Sequence, residues 1–429
     1  MTEWNHLKRL STVKSNTGIK LLSPAAFPGS HCPMHTALAL GGEVEGLSTL
    51  VVGTPECATY SRFVIPQAEG RQGELHWMYV LDAHEVVFGC REGLIQALRK
   101  MDQAGAKAVL ILVTCVPELI GEDMEGVIHE IQGDLSARLC YVQLGHFKCS
   151  SYPSGYWKTL KALGGLMEPA ATRDDCINVL GRSPGGQLWN HQPLPWILGA
   201  LQEAGYSLRF LGAGSSLDDF LEAPDARLNL VVSPYADPLA LHMEQEFGIP
   251  RFSLHELYHT EEISRAYEEI AALLGLSWEN AFRAQREEAD LLQEQAAVRL
   301  RGIRYVSVNT GAAMALPLAV YLAEAGMEPL LVQLDEFYPN DRQWAKRLTS
   351  LGHNPWVCHM VNKEADLPML EELAPDLCLG GMLSPGGGIA SVPRLMDLGG
   401  TMGFERTASL LKRIYLALEQ PAASMKGGK

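Results

Sequence analysis

The sequence predicts an α/β protein of three Rossmann-like domains, each a parallel sheet flanked by helices. Three observations lead there. Short β-branched or leucine-rich runs recur along the chain, each closed by Gly, Ser or Pro and followed by a longer segment of helical spacing, the pattern of parallel strands joined by crossover helices. The length of 429 residues suggests about three domains at roughly 150 residues each. Hydrophobic residues make up 47% of the chain, enough for each domain to bury a core of its own.

An N-terminal domain, residues 1–172, is expected to hold strands at Leu47–Val52, Ala108–Val113 and Leu139–Leu144. A middle domain, residues 173–300, is expected to hold Cys176–Leu180, Ser207–Leu211, Leu228–Val232 and Pro250–Leu254. Its last segment, Thr260–Arg301, is rich in Glu, Ala, Leu and Arg with no Pro and only Gly275, so it reads as mostly helix, N-capped by Thr260, bridging to the next domain. A C-terminal domain, residues 301–429, is expected to hold Tyr305–Val308, Pro329–Leu334, Pro355–Cys358 and Asp376–Leu379. The most membrane-like stretch, Val306–Ala323, is interrupted by Ser307, Asn309, Thr310, Gly311 and Pro317, so it reads as a buried strand, a turn and a helix.

Lys+Arg number 35 against Asp+Glu 50, a formal charge of −15, which argues against a nucleic-acid partner. The composition is too apolar for disorder. The first ten residues lack an apolar stretch of signal-peptide length, and no membrane partner is expected, so the expected location is the cytoplasm. Nine cysteines, an odd number over a long chain, do not make the disulfide framework of a short secreted domain. They read as buried thiols or metal ligands in a reducing compartment.

Several motifs point elsewhere and fail on context. His255-Glu256-Leu257-Tyr258-His259 fits H-E-x-x-H, in which two histidines one helical turn apart bind zinc and the glutamate is a general base. That chemistry needs a helix, whereas this segment follows a strand-like run and precedes the expected helix start, so a zinc hydrolase is a remote alternative. No G-K-[S/T] occurs, which argues against a P-loop, and no G-x-S-x-G elbow occurs to seat an esterase triad.

The cysteines are more informative. Cys32 lies in Pro28-Gly-Ser-His-Cys-Pro-Met-His35, Cys57 in Gly53-Thr-Pro-Glu-Cys57, and Cys115 in Val113-Thr-Cys-Val-Pro-Glu-Leu-Ile-Gly-Glu-Asp123, each just after an apolar run or beside Gly/Pro turns. Loops at strand ends gather side chains from distant parts of a chain. Thiolates so placed suit iron, since Fe–S clusters are held by cysteine sulfur and a [4Fe–4S] cube takes about four ligands. Three from one chain fall one short, and a subunit interface meets the shortfall most simply. Ordinary buried thiols are the competing reading for each cysteine taken alone. Cys140, Cys176, Cys358 and Cys378 sit within strand runs and read as core, while Cys90 and Cys149 are loop residues with a supporting role open to them.

At these residues the chain resembles the component 1 family of nitrogenases and nitrogenase-like reductases, over nearly its whole length. Cys32 matches the first cluster cysteine, Glu56-Cys57-Ala-Thr-Tyr-Ser-Arg62 resembles the second, and Thr114–Asp123 closely resembles the third. Glu85-Val-Val-Phe-Gly-Cys-Arg-Glu-Gly-Leu94 is similar to a β-type motif near the face where the Fe protein docks, and Leu228–Val232 with His242–Pro250 resembles the middle domain.

The resemblance implies the nitrogenase component 1 fold and a heterodimer or α2β2 assembly with a homologous α-type subunit. It also implies a cluster at the subunit interface, fed by a separate ATP-hydrolysing Fe protein. That cluster is either a [8Fe-7S] P-cluster-like centre or a [4Fe-4S] cluster, shared with the partner through Cys32, Cys57 and Cys115. Ser150 or Ser151 lies in a region similar to one that supplies a serine ligand in β-subunits. Catalytic subunits also hold a larger cofactor with a middle-domain cysteine and a C-terminal histidine. Here Leu228–Val232 runs into Ser233-Pro234 without cysteine and no histidine follows His359, so any such cofactor belongs mainly to the partner.

The leading expectation is therefore a β-like subunit of a nitrogenase-like oxidoreductase that relays electrons to a reduction site. Carbon–sulfur cleavage, as in methylthio-alkane reductases, or N2 reduction are the candidate reactions. The alternatives are a cofactor-maturation scaffold of the same family and a tetrapyrrole reductase subunit.

Overall fold

A computed structural model describes residues 7–19, 32–57, 74–145, 154–182, 194–278, 280–308, 315–338, 340–359, 369–370, 372–380, 389–393 and 395–419. Among them lie fourteen strands: β1 (Lys8–Arg9), β2 (Leu47–Gly53), β3 (His76–Val80), β4 (Ala108–Val113), β5 (Arg138–Gln143), β6 (Cys176–Arg182), β7 (Ser207–Gly212), β8 (Asn229–Val231), β9 (Arg251–Ser253), β10 (Arg304–Ser307), β11 (Glu328–Gln333), β12 (Trp356–Cys358), β13 (Leu377–Leu379) and β14 (Ala390–Val392). They form three sheets flanked by helices, an α/β architecture of parallel-sheet domains.

The chain divides into two compact units, Ser30–Gln187 with Gly205–Phe252, and Met1–Gly29 with Leu188–Ala204 and Ser253–Lys429. The first unit carries two four-stranded sheets, in the orders β3-β2-β4-β5 and β7-β6-β8-β9. β2 pairs in parallel with β3 and β4, and β4 with β5. β4, Ala-Val-Leu-Ile-Leu-Val, is buried at every residue, which is why it is a continuous apolar run and not an alternating one. Leu110 and Leu112 pack with helix Pro33–Glu43 on one face; Val109, Ile111 and Val113 pack with helices Arg91–Gln103 and Met124–Ile131 on the other. The first of these cores also contains Leu180, Leu211, Val231 and Leu239, so it serves both sheets of the unit.

Among the described residues β5 ends its sheet, and on that side Gln132 does a neighbouring strand's bonding. Its Oε1 accepts the Leu139 N–H (2.8 Å) and its Nε2 donates to Ala137 O (2.9 Å), while Lys158 Nζ donates to Gln143 O (2.8 Å).

The second unit carries a six-stranded sheet, β1-β12-β11-β10-β13-β14, parallel except for β1. The antiparallel β1 pairs Lys8 with Val357 and Arg9 with Trp356, and the Arg9 guanidinium lies 3.9 Å from the Trp356 ring centre. Leu10 and Val13 follow it into a core with Leu316, Val320, Trp344 and Leu348. His359 Nε2 reaches Asn16 O (3.2 Å), which ties down the end of this arm.

The segment expected as one bridging helix is two, Thr260–Leu274 and Arg283–Arg299, broken after Gly275, whose φ of +70° suits a residue without Cβ. Thr260 is the first helical residue and His259 the N-cap; the Thr260 N–H donates to Gln293 Oε1 (3.3 Å) of the neighbouring helix. Among the described residues no helix is long and apolar enough to cross a membrane.

Candidate metal centre

Strand order creates the site. From β2 the chain adds β3 on one side and then returns to add β4 on the other, so the connections leave the carboxyl ends of β2 and β4 in opposite directions. In open α/β sheets the crevice at such a reversal is where ligands bind. β2 and β4 are in register to the last residues, with Val52 opposite Val113.

All three expected cluster cysteines lead to this edge. Cys57 lies just past the end of β2 in a short helical turn, with its N–H donated to Thr54 O (3.0 Å). Cys115 opens helix Cys115–Ile120, directly after Thr114 at the end of β4. Cys32 is the N-cap of helix Pro33–Glu43, with Pro33 at the first helical position. That helix runs back along the sheet before the chain turns into β2, so its start stands at the end of the sheet where β2 finishes. Its eleven residues span about 16 Å, some two thirds of the roughly 23 Å of the seven-residue β2.

The edge is held rigidly. Thr114 donates both its N–H (3.1 Å) and its hydroxyl (2.8 Å) to Val52 O, clamping the end of β4 to β2. At Gly53 a Cβ would lie 2.2 Å from Thr114 Oγ1 and 3.3 Å from Cys57 Sγ, so the close approach of these two turns requires glycine. Glu118, buried within the Cys115 helix, accepts the Gly145 N–H (2.5 Å) through Oε2, tying the end of β5 to the same helix.

Cys32, Cys57 and Cys115 are each half-buried, and Cys32 and Cys57 pack against the shared core. Their sulfur atoms are not gathered within 4.8 Å of one another, as the ligands of a single ion would be. Three accessible thiols spread along one rim suit a polynuclear iron–sulfur group, which spaces its cysteine ligands over several iron atoms.

The other cysteines divide as follows. Cys140, Cys176, Cys358 and Cys378 are buried, and burial alone pushes the thiols of Cys140 in β5 and Cys378 in β13 up to about 12. Cys90 is also buried and N-caps helix Arg91–Gln103. Burial, with the Glu122 and Glu85 carboxylates nearby, pushes its thiol up to about 12, so it keeps its proton at neutral pH. Cys149, Ser150 and Ser151 lie outside the described residues.

Next to the Cys115 helix the surface is apolar. Val87 (70% exposed) and Phe88 (74%) project from the short helix Glu85–Phe88, and Leu119 and Ile120 are exposed on the Cys115 helix. Nothing in the spacing of these residues says that they face outward; for Val87 and Phe88 the only signal is the resemblance of Glu85–Leu94 to a motif near a docking face. Thr114 and Glu122 lie within the Thr114–Asp123 motif, but the roles they play depend on partners far away in the chain.

The H-E-x-x-H segment does not form a zinc site of the helical kind. His255 lies in the 3-10 turn Leu254–Glu256 and is buried, whereas His259 precedes the next helix and its Nε2 donates to Glu324 Oε2 (2.5 Å). Glu324 is held in turn by Arg347, which also bonds Glu262. The two imidazoles therefore do not share one helical face.

Comparison with known proteins points one way. The family model described as nitrogenase component 1 type oxidoreductase matches residues 32–419. The chain is similar to the nitrogenase iron-molybdenum cofactor biosynthesis protein NifE of Clostridium pasteurianum, 25% identical over 320 residues covering 71% of this chain and 68% of that protein. It is 28% identical to NifE of Rhizobium meliloti (strain 1021) over 281 residues, 62% of this chain and 57% of that one. With NifE of Bradyrhizobium diazoefficiens it shares 24% over 364 residues, 80% of this chain and 64% of the other. The matches thus span about two thirds or less of these relatives' own length. Among solved structures, one titled "Nitrogenase Cp1 at pH 6.5" superposes with a TM-score of 0.65 at 14% identity, covering 92% of this chain and 95% of that one, a likeness of fold.

Proposed function

The chain belongs to the nitrogenase component 1 type oxidoreductases, and from that premise we propose that it is the cluster-holding subunit of a cofactor-maturation scaffold. The observation that carries the reading is the convergence of Cys32, Cys57 and Cys115 on the β2/β4 edge of a chain whose curated relatives are cofactor biosynthesis proteins. The sequence alone ranks an electron-relaying reductase first and the scaffold second; the NifE matches reverse that order.

In this reading the three thiols, as thiolates, hold an iron–sulfur cluster at an interface with a homologous subunit, which supplies the remaining ligands. When bound, such a cluster takes up and passes on single electrons. The chain's own work is positional. Thr114 and Gly53 fix the spacing of Cys57 and Cys115, and Cys32, the N-cap of the Pro33–Glu43 helix, packs against the same core as Cys57. The core behind Cys32 and Cys57 excludes water from that side.

The second reading, a nitrogenase-like reductase relaying electrons to a site in the partner, draws support from the exposed Val87–Phe88 surface beside the Cys115 helix. That surface suits an ATP-hydrolysing electron donor, and a scaffold would use the same contact.

The test is anaerobic purification with the partner subunit, iron quantitation, EPR, and assay with the donor and ATP. An iron-loaded complex that reduces neither an alkyl thioether, a tetrapyrrole nor N2 supports the scaffold. Sustained ATP-dependent turnover of any of them overturns it in favour of the reductase. Cys57→Ala and Cys115→Ala should each strip most of the iron and bleach the visible absorption; unchanged iron in both rejects the ligand assignment. Stoichiometric zinc without iron would reject both readings.

A further inference from the structure

Helix Glu85–Phe88 carries the exposed Val87 and Phe88 and is anchored at both ends. At its start, Glu85 accepts from the Tyr79 hydroxyl and from the Asp82 N–H (3.0 Å), and donates its own N–H to Asp82 Oδ1 (2.8 Å), which fastens it to β3. At its end, Gly89 turns with φ +91° so that the next N–H, that of Cys90, donates to Glu122 Oε1 (2.5 Å). The fit is tight: a Cβ on Gly89 would stand 2.5 Å from that same oxygen.

Glu122 belongs to the other side of the contact. It follows Gly121, the left-handed C-cap of helix Cys115–Ile120, and donates its N–H to Pro117 O (3.1 Å), so its backbone closes the last turn of that helix. One carboxylate thus joins the turn behind Phe88 to the six-residue helix whose first residue is Cys115. Nothing longer or softer intervenes.

We propose that Glu122 is a positioning residue that couples contact at the Val87–Phe88 surface to the setting of Cys115. A partner pressing on Phe88 displaces Gly89 and Cys90, and the Cys90 N–H bond passes that displacement to the Cys115 helix. The coupling rests on the proposed cluster and donor contact, but the link itself is a property of this chain alone.

Two variants separate coupling from simple loop support. Glu122→Gln keeps an oxygen that can accept the Cys90 N–H; Glu122→Ala removes it. Hydrogen–deuterium exchange on the purified complex should show the Cys90 amide and the amides of residues 115–120 both speeding up, by about tenfold, in Glu122→Ala and much less in Glu122→Gln. This arm needs no iron. With iron loaded, Glu122→Ala should retain wild-type iron content while the EPR line shape shifts, and Glu122→Gln should restore it.

Faster exchange confined to residues 85–90, with unchanged exchange at 115–120, overturns the proposal. So does an unaltered EPR signal in Glu122→Ala. Failure of the cluster reading appears separately, as absence of iron from the wild-type complex.

Discussion

The Thr114 side chain and amide converge on one acceptor, the Val52 carbonyl, at the point where the two proposed cluster ligands Cys57 and Cys115 leave the sheet. Valine would keep the β-branched shape and lose one of the two bonds. Thr114→Val is therefore expected to lower stability by about 1 kcal/mol, read as a lower urea midpoint. The larger effect should fall on metal retention: under chelator challenge the variant complex should lose iron faster than wild type, because the bond that spaces Cys57 from Cys115 is gone. Equal rates of loss would mean that Thr114 stabilises the sheet without setting the site.

Gln132 shows the same economy in an element. Its amide satisfies the Leu139 N–H and the Ala137 carbonyl as a neighbouring strand would, and so blunts the open side of β5. Gln132→Ala should cost about 1–2 kcal/mol through the exposed pair and should increase self-association, measured by light scattering at matched concentration. Unchanged scattering would show that Lys158 and the flanking helices protect the edge unaided.

Most of the strands that sequence reading recovers are largely buried, although the sheet edges β5, β7 and β9 are recovered too and β9 is only half-buried. Interior strands such as β2, β4, β10 and β11 are apolar runs bounded by turn residues. The three strands it misses, β1, β3 and β14, are all sheet edges. Lys8 and Arg9 of β1 are both exposed, and β3 is only half-buried, so neither carries a continuous apolar signal. The site divides similarly. Cysteine chemistry and loop context pick out Cys32, Cys57 and Cys115. Thr114 and Glu122 act through partners 62 and 32 positions away, and Gly53 acts by making room, none of which a linear pattern carries.

At the scale of the whole molecule, buried thiols set an alkaline limit. Cys90 and Cys140 are pushed up to about 12 from an ordinary value of 9.0, and the same holds for Cys378. Unfolding exposes them to water, where they lose their protons from about pH 9. Below that pH both states hold the proton and the full stability is present; above it the unfolded chain binds fewer protons than the folded one, and stability is lost as pH rises from about 9 toward 12. Thermal midpoints under reducing conditions should be flat from about pH 7 to 8.5 and fall beyond about pH 9. A profile still flat at about pH 10.5 would contradict the burial of these thiols.

The arm at β1 puts a clock on assembly. Arg9 donates to Asn354 O, 345 residues later in the chain. At about 5–20 residues per second, a ribosome needs roughly 20–70 s to deliver the partner after the arm emerges. Throughout that interval Leu10 and Val13 have no core to enter, because Leu316, Trp344 and Leu348 are still to be made. The second unit is thus closed by residues made far apart in time, and a nascent chain stalled before residue 354 exposes an apolar segment that chaperones can hold and proteases can cut.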